Sequence, residues 1–161
     1  MTEDSLSSDY LLKLCKICLT HPPEILPCDV FYSKTYLPVN SSYILNLQKS
    51  DLPGSHWITI LVNEKFILYF DSIGLPAINQ YILRRLKICK LPIYQSVLPI
   101  QGIFSKFCGF YSLAFLIKCH EEQKSFQDFL SIFKEGASVL NDHICLNVIK
   151  KKIEQVNRTL Y

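Results

Sequence analysis

No run of apolar residues in this sequence is long enough to cross a membrane. The two longest candidates, FCGFYSLAFLI and HWITILVNEKFILYF, are broken by polar or glycine residues well before the roughly 18 residues that a span requires. A secretory signal is also missing, because the N-terminus MTEDSLSSDY is acidic and polar where such a signal would be basic and then apolar. We therefore expect an intracellular protein without a membrane partner.

The sequence lacks a disulfide scaffold as well. Its seven cysteines are odd in number, and their spacing follows no disulfide framework. In the reducing compartment that we expect, they are small core residues, free thiols or metal ligands. They stand at positions 15, 18, 28, 89, 108, 119 and 145.

One group of these residues has spacings that could hold zinc, namely Cys15, Cys18, His21 and Cys28. Cys15 and Cys18, however, fall within the apolar periodicity of a predicted helix, where positions i and i+3 share a buried face. A ligand knuckle usually has turn residues between its cysteines, and none stand here. We therefore predict core packing for this group, and no metal or other cofactor.

Repeats and low-complexity segments are absent, and the net charge is only +3. The 161 residues, 49% apolar and 19% charged, predict one domain over residues 1–161 with a sizeable core. Basic residues gather at 84–90 (RRLKICK) and 149–152 (IKKK). These clusters indicate either contact with an acidic partner such as nucleic acid or solvated helix faces, and composition leaves both open.

The apolar periodicity predicts helices that alternate with short strands. A first helix begins at Ser7 or Ser8 and runs to Leu19, where HPP ends it, and the prolines up to position 27 predict an irregular stretch. HWITILV and FILYFD, joined by the turn NEK, predict a β-hairpin because both arms are rich in β-branched and aromatic residues. The other predicted elements are strands at 42–47 and near 93–99, and helices at 77–88, from Cys108, at 125–133 and from Asn141.

Four residues with reactive or polar side chains stand at the ends of these elements. Cys108 falls where a loop turns into a helix, and the partial positive charge of a helix N-terminus stabilises a thiolate there. His56 begins one arm of the hairpin and Asp71 ends the other, so we expect them to be neighbours, as an imidazole and its orienting carboxylate must be. Gln101, in the loop before the helix, could supply an amide N–H to a developing oxyanion.

Each of these residues also has an ordinary structural interpretation. Cys108 could pack in a core helix, as most cysteines on apolar helices do. His56 could be a strand-edge histidine, Asp71 a turn former and Gln101 a solvated loop residue. Their joint order at element ends favours a Cys-His-Asp hydrolase, although short motifs also arise by chance.

The segments GSHW, YFDS and QGIFSKFCGFY resemble the His-Trp, Asp or Glu, and Gln-Cys-Gly blocks of the adenain-like cysteine proteases. That group includes the adenovirus endopeptidase and the Maverick/Polinton and adintovirus proteases, and the likeness extends over about residues 28–147. The resemblance implies an α+β fold of the papain-like type, in the adenain/SUMO-protease circular order, with a central mixed β-sheet flanked by helices. The protease core would span 28–150, after an N-terminal helix and lead-in over 1–22.

The resemblance also implies a role for individual residues. It makes Cys108 the nucleophile, His56 the base and Asp71 its orienter. Gln101 becomes the oxyanion donor. Trp57, the single tryptophan, and Gly109 would form part of the groove that binds the substrate.

The implied substrates are viral or transposon capsid precursors, cut at glycine-containing sites in the cytoplasm or nucleus of a host cell or in the virion. SUMO- and ubiquitin-like-modifier proteases share the fold and residue order, but their usual Gln-to-Cys spacing is one residue shorter than the seven found here. A deconjugating isopeptidase acting on ubiquitin-like tails, and a non-catalytic binding module on the same fold, are the alternatives. The adenovirus enzyme carries Glu where Asp71 stands, and the need for a nucleic-acid or peptide activator stays open.

Overall fold

The computed structural model describes residues 6–159, which form one five-stranded sheet with helices on both faces. The strands are β1 (Glu24–Pro27), β2 (Ser42–Asn46), β3 (Trp57–Val62), β4 (Ile67–Phe70) and β5 (Ile93–Gln95). The helices are α1 (Ser8–Cys18), α2 (Cys28–Tyr32), α3 (Gln80–Ile88), α4 (Cys108–Phe115), α5 (Phe126–Ser131) and α6 (Ser138–Thr159), with a π-helical turn at Leu116–Glu121 that continues α4.

The strands lie side by side in chain order, from β1 to β5. β1 and β5 run parallel to their neighbours β2 and β4, whereas β2, β3 and β4 form antiparallel pairs. Thr59 faces Phe70 in the β3–β4 pair, so the residues just before β3 and just after β4 meet at the same end of the hairpin. This confirms the predicted α+β class, the mixed sheet flanked by helices, and the hairpin.

Side chains of the central strands alternate between two cores, as the pleat of a sheet requires. One core packs beneath α1, α4, α5 and α6 and receives Ile44, Leu61, Leu68 and Phe70. The other packs beneath α2 and α3 and receives Tyr43, Leu45, Ile58, Ile60, Val62, Ile67 and Tyr69. The sheet is therefore buried on both faces, and α4 is held firmly against one of them.

Side-chain caps mark where several helices begin. Ser7, one of the two predicted candidates, is the N-cap of α1, and its hydroxyl accepts from the backbone N–H of Tyr10. Asn79 caps α3, and Ser125 caps α5 in a reciprocal capping box with Asp128. By contrast, the N-cap residue of α4, Phe107, makes no side-chain cap hydrogen bond, and the helix begins at Cys108.

The stretch after the first helix was predicted to be irregular, and that prediction was wrong. Strand β1 forms over Glu24–Pro27 and pairs with β2, while Pro27 is the N-cap of α2. Proline is tolerated at the end of an edge strand and at a helix start, because neither position needs its missing N–H. The π-helical turn after α4 was also not predicted.

None of the helices within residues 6–159 combines the length and the apolar character that a membrane span needs.

The cysteines considered as zinc ligands divide between the two cores. Cys15 and Cys18 are buried beneath the helices of the first core, which confirms the predicted packing, whereas Cys28 belongs to the core on the other side of the sheet. Residues on opposite faces of a sheet cannot coordinate one tetrahedral metal ion without disrupting the sheet. Within residues 6–159, no cluster of three or more histidine, cysteine or acidic side chains could hold a metal.

Candidate active site

The β3–β4 hairpin brings His56 and Asp71 into direct contact. His56 immediately precedes β3 and Asp71 immediately follows β4, and His56 Nε2 lies 2.8 Å from Asp71 Oδ1. Asp71 is only 1% exposed, and the same oxygen accepts from the backbone N–H of Ile73 at 2.9 Å. The predicted proximity of the two side chains is confirmed, and the second hydrogen bond fixes the orientation of the carboxylate.

Cys108 is the first residue of α4 and is 7% exposed. The N-cap residue Phe107 makes no side-chain cap hydrogen bond, so the backbone N–H groups at the start of the helix are available to a negative charge. A thiolate at Cys108, or an oxyanion formed beside it, would lie at the favourable end of the helix dipole. The local environment therefore suits a nucleophilic sulfur.

His56 is coupled to both of the other groups. Burial lowers the pKa of its imidazole, but hydrogen bonds to Asp71 and Cys108, together with the negative charges of both, more than offset burial and raise the pKa to about 9. Since Nε2 is engaged by Asp71, the other ring nitrogen, Nδ1, is the one left for the Cys108 side. The imidazole therefore connects the carboxylate to the cysteine and holds its proton at neutral pH.

Gln101 is 3% exposed, and both ends of its amide are held. Ser72 Oγ donates to Gln101 Oε1 at 2.5 Å, and Gln101 Nε2 donates to the carbonyl of Ser105 at 2.6 Å. A backbone carbonyl only accepts, so the atom facing Ser105 must be the amide nitrogen, which settles the orientation of the side chain. One of the two Nε2 hydrogens is used in this way, and the second is left for another acceptor.

Sequence reasoning missed the residues that hold the Gln101 loop in place. Ser105 Oγ accepts from the N–H of Phe107 and donates to Asp142, at 3.2 Å from Oδ2, so it links the loop to α6. Tyr111 donates to Asp142 Oδ1 at 2.8 Å, and Asn141 Nδ2 donates to the carbonyl of Ile100 at 2.9 Å. These partners lie 31 to 41 residues apart in the chain, so no local pattern could have revealed them.

A cleft of about 570 Å³ opens beside Cys108. Trp57 lines it, as predicted for a groove residue, together with the loop between β2 and β3 and the segment that leads into α1. Among the described residues that line the cleft, Cys108 is the only one of the four predicted catalytic residues; His56, Asp71 and Gln101 lie outside its lining. Gly109, the other predicted groove residue, is buried and lies against Leu6.

Four other cysteines differ from Cys108 in their surroundings. Burial raises the pKa of Cys15 and Cys119 to about 12 and that of Cys18 to about 11, and it raises the pKa of Cys145 as well. A thiol with such a pKa carries almost no thiolate at neutral pH and is a poor nucleophile. No histidine contributes to the raised pKa of any of these four thiols.

Comparison with known proteins finds a partial structural likeness. No family model and no curated protein matches the chain, whereas nine chains of solved structures do. One is the crystal structure of the Se-Met ASFV pS273R protease, which is similar with a TM-score of 0.45 and 20% sequence identity. The match covers 73% of this chain and 44% of that chain, so the present chain matches less than half of that protease. This likeness assigns no role to any individual residue of the site.

Proposed function

We propose that this protein is a cysteine endopeptidase in which Cys108 attacks a peptide carbonyl. The observation that carries the proposal is the imidazole of His56, bonded to Asp71 at 2.8 Å and coupled on its other side to a cysteine that begins an uncapped helix. A buried histidine held between a carboxylate and a thiol in this way is costly for a purely structural role and is what thiol catalysis requires.

The first half of the reaction forms a thioester. With its proton already held by the His56 imidazolium, Cys108 attacks the scissile carbonyl carbon as a thiolate. The resulting oxyanion receives the backbone N–H of Cys108 and the second Nε2 hydrogen of Gln101. The tetrahedral intermediate collapses, its C–N bond breaks, and the His56 imidazolium donates its proton to the leaving amine. Asp71 stabilises the imidazolium throughout these steps.

The second half releases the acid. Water attacks the thioester carbonyl while neutral His56 accepts a proton from it, and a second oxyanion forms at the same donors. Collapse of this intermediate breaks the C–S bond and frees the carboxylic acid, which loses its proton to solvent to give the carboxylate product. His56 keeps the proton that it accepted from water, and the departing Cys108 thiolate restores the resting ion pair.

The proposed substrates are precursor proteins of a viral or transposon capsid, cut at small-residue sites that contain glycine. The family resemblance supports this choice, and removal of a ubiquitin-like tail is the alternative with the same chemistry. A peptide aldehyde ending in glycine tests for an enzyme, because it forms a hemithioacetal with a catalytic thiol, whereas a binding module would not react. A vinyl sulfone of a ubiquitin-like protein then separates the two classes, since only an isopeptidase should recognise the folded ubiquitin-like protein and be modified efficiently.

Removing the Gln101 amide should slow turnover without weakening substrate binding. The substrate carbonyl is a weak acceptor, whereas the tetrahedral intermediate carries nearly a full negative charge on that oxygen. We expect Gln101→Ala to lower kcat by about 10²–10³-fold with little change in KM, the range for loss of one oxyanion donor. Steady-state kinetics on a cleaved precursor peptide measures both constants.

Two controls separate this role from a structural one. Alkylation of Cys108 by iodoacetamide forms no oxyanion, so its rate should stay near that of wild type. Gln95→Ala removes an exposed amide that accepts from the N–H of Ala77 on the sheet edge, and it should leave kcat unchanged. If the alkylation rate and kcat of Gln101→Ala fall together, Gln101 supports the Cys108 loop and does not bind the oxyanion.

Hydrolysis should fall as pH rises through about 9, the pKa of His56. The raised pKa means that the folded protein favours the imidazolium, and above it the neutral ring has no proton for the leaving amine. In Asp71→Asn this alkaline limb should move to lower pH, because a hydrogen bond and a charge that raise the pKa are lost while burial still lowers it. The measurement is kcat/KM against pH, and a wild-type limb near the ordinary value of 6.5 would contradict the coupling.

A further inference from the structure

Leu6 lies against the helix that carries Cys108. Its carbonyl accepts from Trp57 Nε1 at 3.3 Å, and its side chain packs on the edge of the first core. A Cβ built on Gly109 would come within 2.8 Å of Leu6 Cδ2, so the leucine methyl occupies the space that a side chain after the cysteine would need. Glycine suits the position after Cys108 because Leu6 occupies the space that a side chain at residue 109 would need.

The position of Leu6 is fixed by the start of α1. Ser7 is the N-cap, so Leu6 is the residue before the cap and Leu11 is the fourth residue of the helix. The side chains of both leucines border the space beside Gly109, since Leu11 Cδ2 lies 3.4 Å from where a Cβ of residue 109 would be. Apolar residues at these two helix positions form a hydrophobic staple, which sets the angle at which the chain enters the helix. Leu6 is thus held by the fold against Gly109.

Leu6 also borders the cleft at the candidate nucleophile. Leu6, Ser7 and Ser8 line it together with Trp57 and Cys108. The indole N–H of Trp57, a group that could bind a peptide carbonyl in a groove, is already used by the carbonyl of Leu6. The lead-in to α1 therefore forms a wall of the groove, with its apolar side chain on the residue next to the sulfur.

We propose that Leu6 is a specificity-determining residue, whose side chain limits the size of the group that can approach Cys108. The proposal rests on the proposed peptidase function. In it, the segment that leads into α1 restricts the size of the substrate side chain next to the scissile bond. A side chain held in a fixed position excludes substrates whose neighbouring group is too large. A difference of one methylene in an apolar pocket changes the preference between two substrates by about 10-fold or more. Shortening Leu6 widens the groove, and lengthening it narrows the groove.

The test compares a small and a bulky thiol reagent on the full chain. N-methylmaleimide and N-phenylmaleimide are reacted separately, and modification is read on the Cys108 peptide by mass spectrometry because Cys89 is partly exposed. We expect Leu6→Ala to raise the ratio of the bulky to the small rate constant by about tenfold, the low end of the selectivity that one methylene confers. Leu6→Phe should lower the same ratio. Hydrolysis of paired peptides with alanine or leucine before the scissile bond should shift in the same directions.

Leu14→Ala is the matched control. Leu14 is a buried leucine of α1 that does not line the cleft, so its truncation loosens the helix without widening the groove. It should leave the reagent ratio at the wild-type value. The proposal is overturned if Leu6→Ala leaves the ratio unchanged, or if Leu14→Ala raises it equally.

The ratio of the two maleimide rate constants can be measured on any reactive thiol, so it can change even in a protein that cleaves no peptide. A shifted ratio in a protein that cleaves no peptide supports the role of Leu6 in access and counts against the peptidase function. Hydrolysis with an unshifted ratio supports the peptidase and overturns the role of Leu6.

Discussion

Cys108→Ala should abolish peptide hydrolysis and leave the fold intact. The change removes the single atom that forms the thioester, and no histidine contributes to the raised pKa of Cys15, Cys18, Cys119 or Cys145. Because only one sulfur is lost, we expect the free energy of unfolding to change by about 1 kcal/mol. Turnover of a precursor peptide and a thermal melt measure the two quantities on the same sample.

Cys119→Ala is the matched control, since Cys119 is also 7% exposed and lies in the helical turn that continues α4. Burial raises the pKa of this thiol to about 12, so its loss should affect packing and leave turnover near that of wild type. Iodoacetamide inactivation followed by peptide mapping identifies the reactive thiol. Stoichiometric labelling of another cysteine, with activity lost in step and Cys108 unmodified, would defeat the assignment.

Asp71→Asn should lower kcat by about 10⁴-fold, as removal of the orienting carboxylate does in other triads. The amide keeps the size of the carboxylate but carries no charge to stabilise the imidazolium. The oxygen that accepts from the N–H of Ile73 can be retained, so the turn after β4 should persist. The measurement is single-turnover acylation together with the unfolding free energy.

Asp128→Asn provides the comparison for the loss of one carboxylate elsewhere. Asp128 belongs to the capping box of α5, so its change should reduce stability by about 1 kcal/mol and leave kcat unaltered. If Asp71→Asn retains wild-type turnover on a true substrate, Asp71 is only a turn residue and another group orients His56.

The contact between His56 and Asp71 could be predicted from the sequence because a hairpin is a local structure. Two arms rich in β-branched residues, joined by the short turn NEK, leave little choice of register. Once that register is set, the residue before one arm and the residue after the other must meet. The position of Cys108 at a helix start was predictable for a similar reason, since a glycine and an apolar run mark where the loop ends.

The support of Gln101 could not be predicted, because its partners come from three separate parts of the chain. Ser72 holds the amide oxygen, Ser105 holds the amide nitrogen, and Asp142 on α6 accepts from Ser105 and Tyr111. Serine and aspartate at such positions are unremarkable in sequence. Only the packing of α6 against α4 turns them into one hydrogen-bonded network around the loop.

The sequence by itself determined the elements whose signals are local: a first helix beginning at Ser7 or Ser8, the hairpin, and the helix that begins at Cys108. Tertiary structure alone decided the placement of β1 beside β2, the network around Gln101 and the seating of Leu6 on Gly109. Local patterns arise from backbone hydrogen bonds and the helix and strand periods, which act over a few residues. Contacts between distant segments depend on how whole elements pack, and packing selects partners by shape and buried polar pairing that no short window of sequence contains.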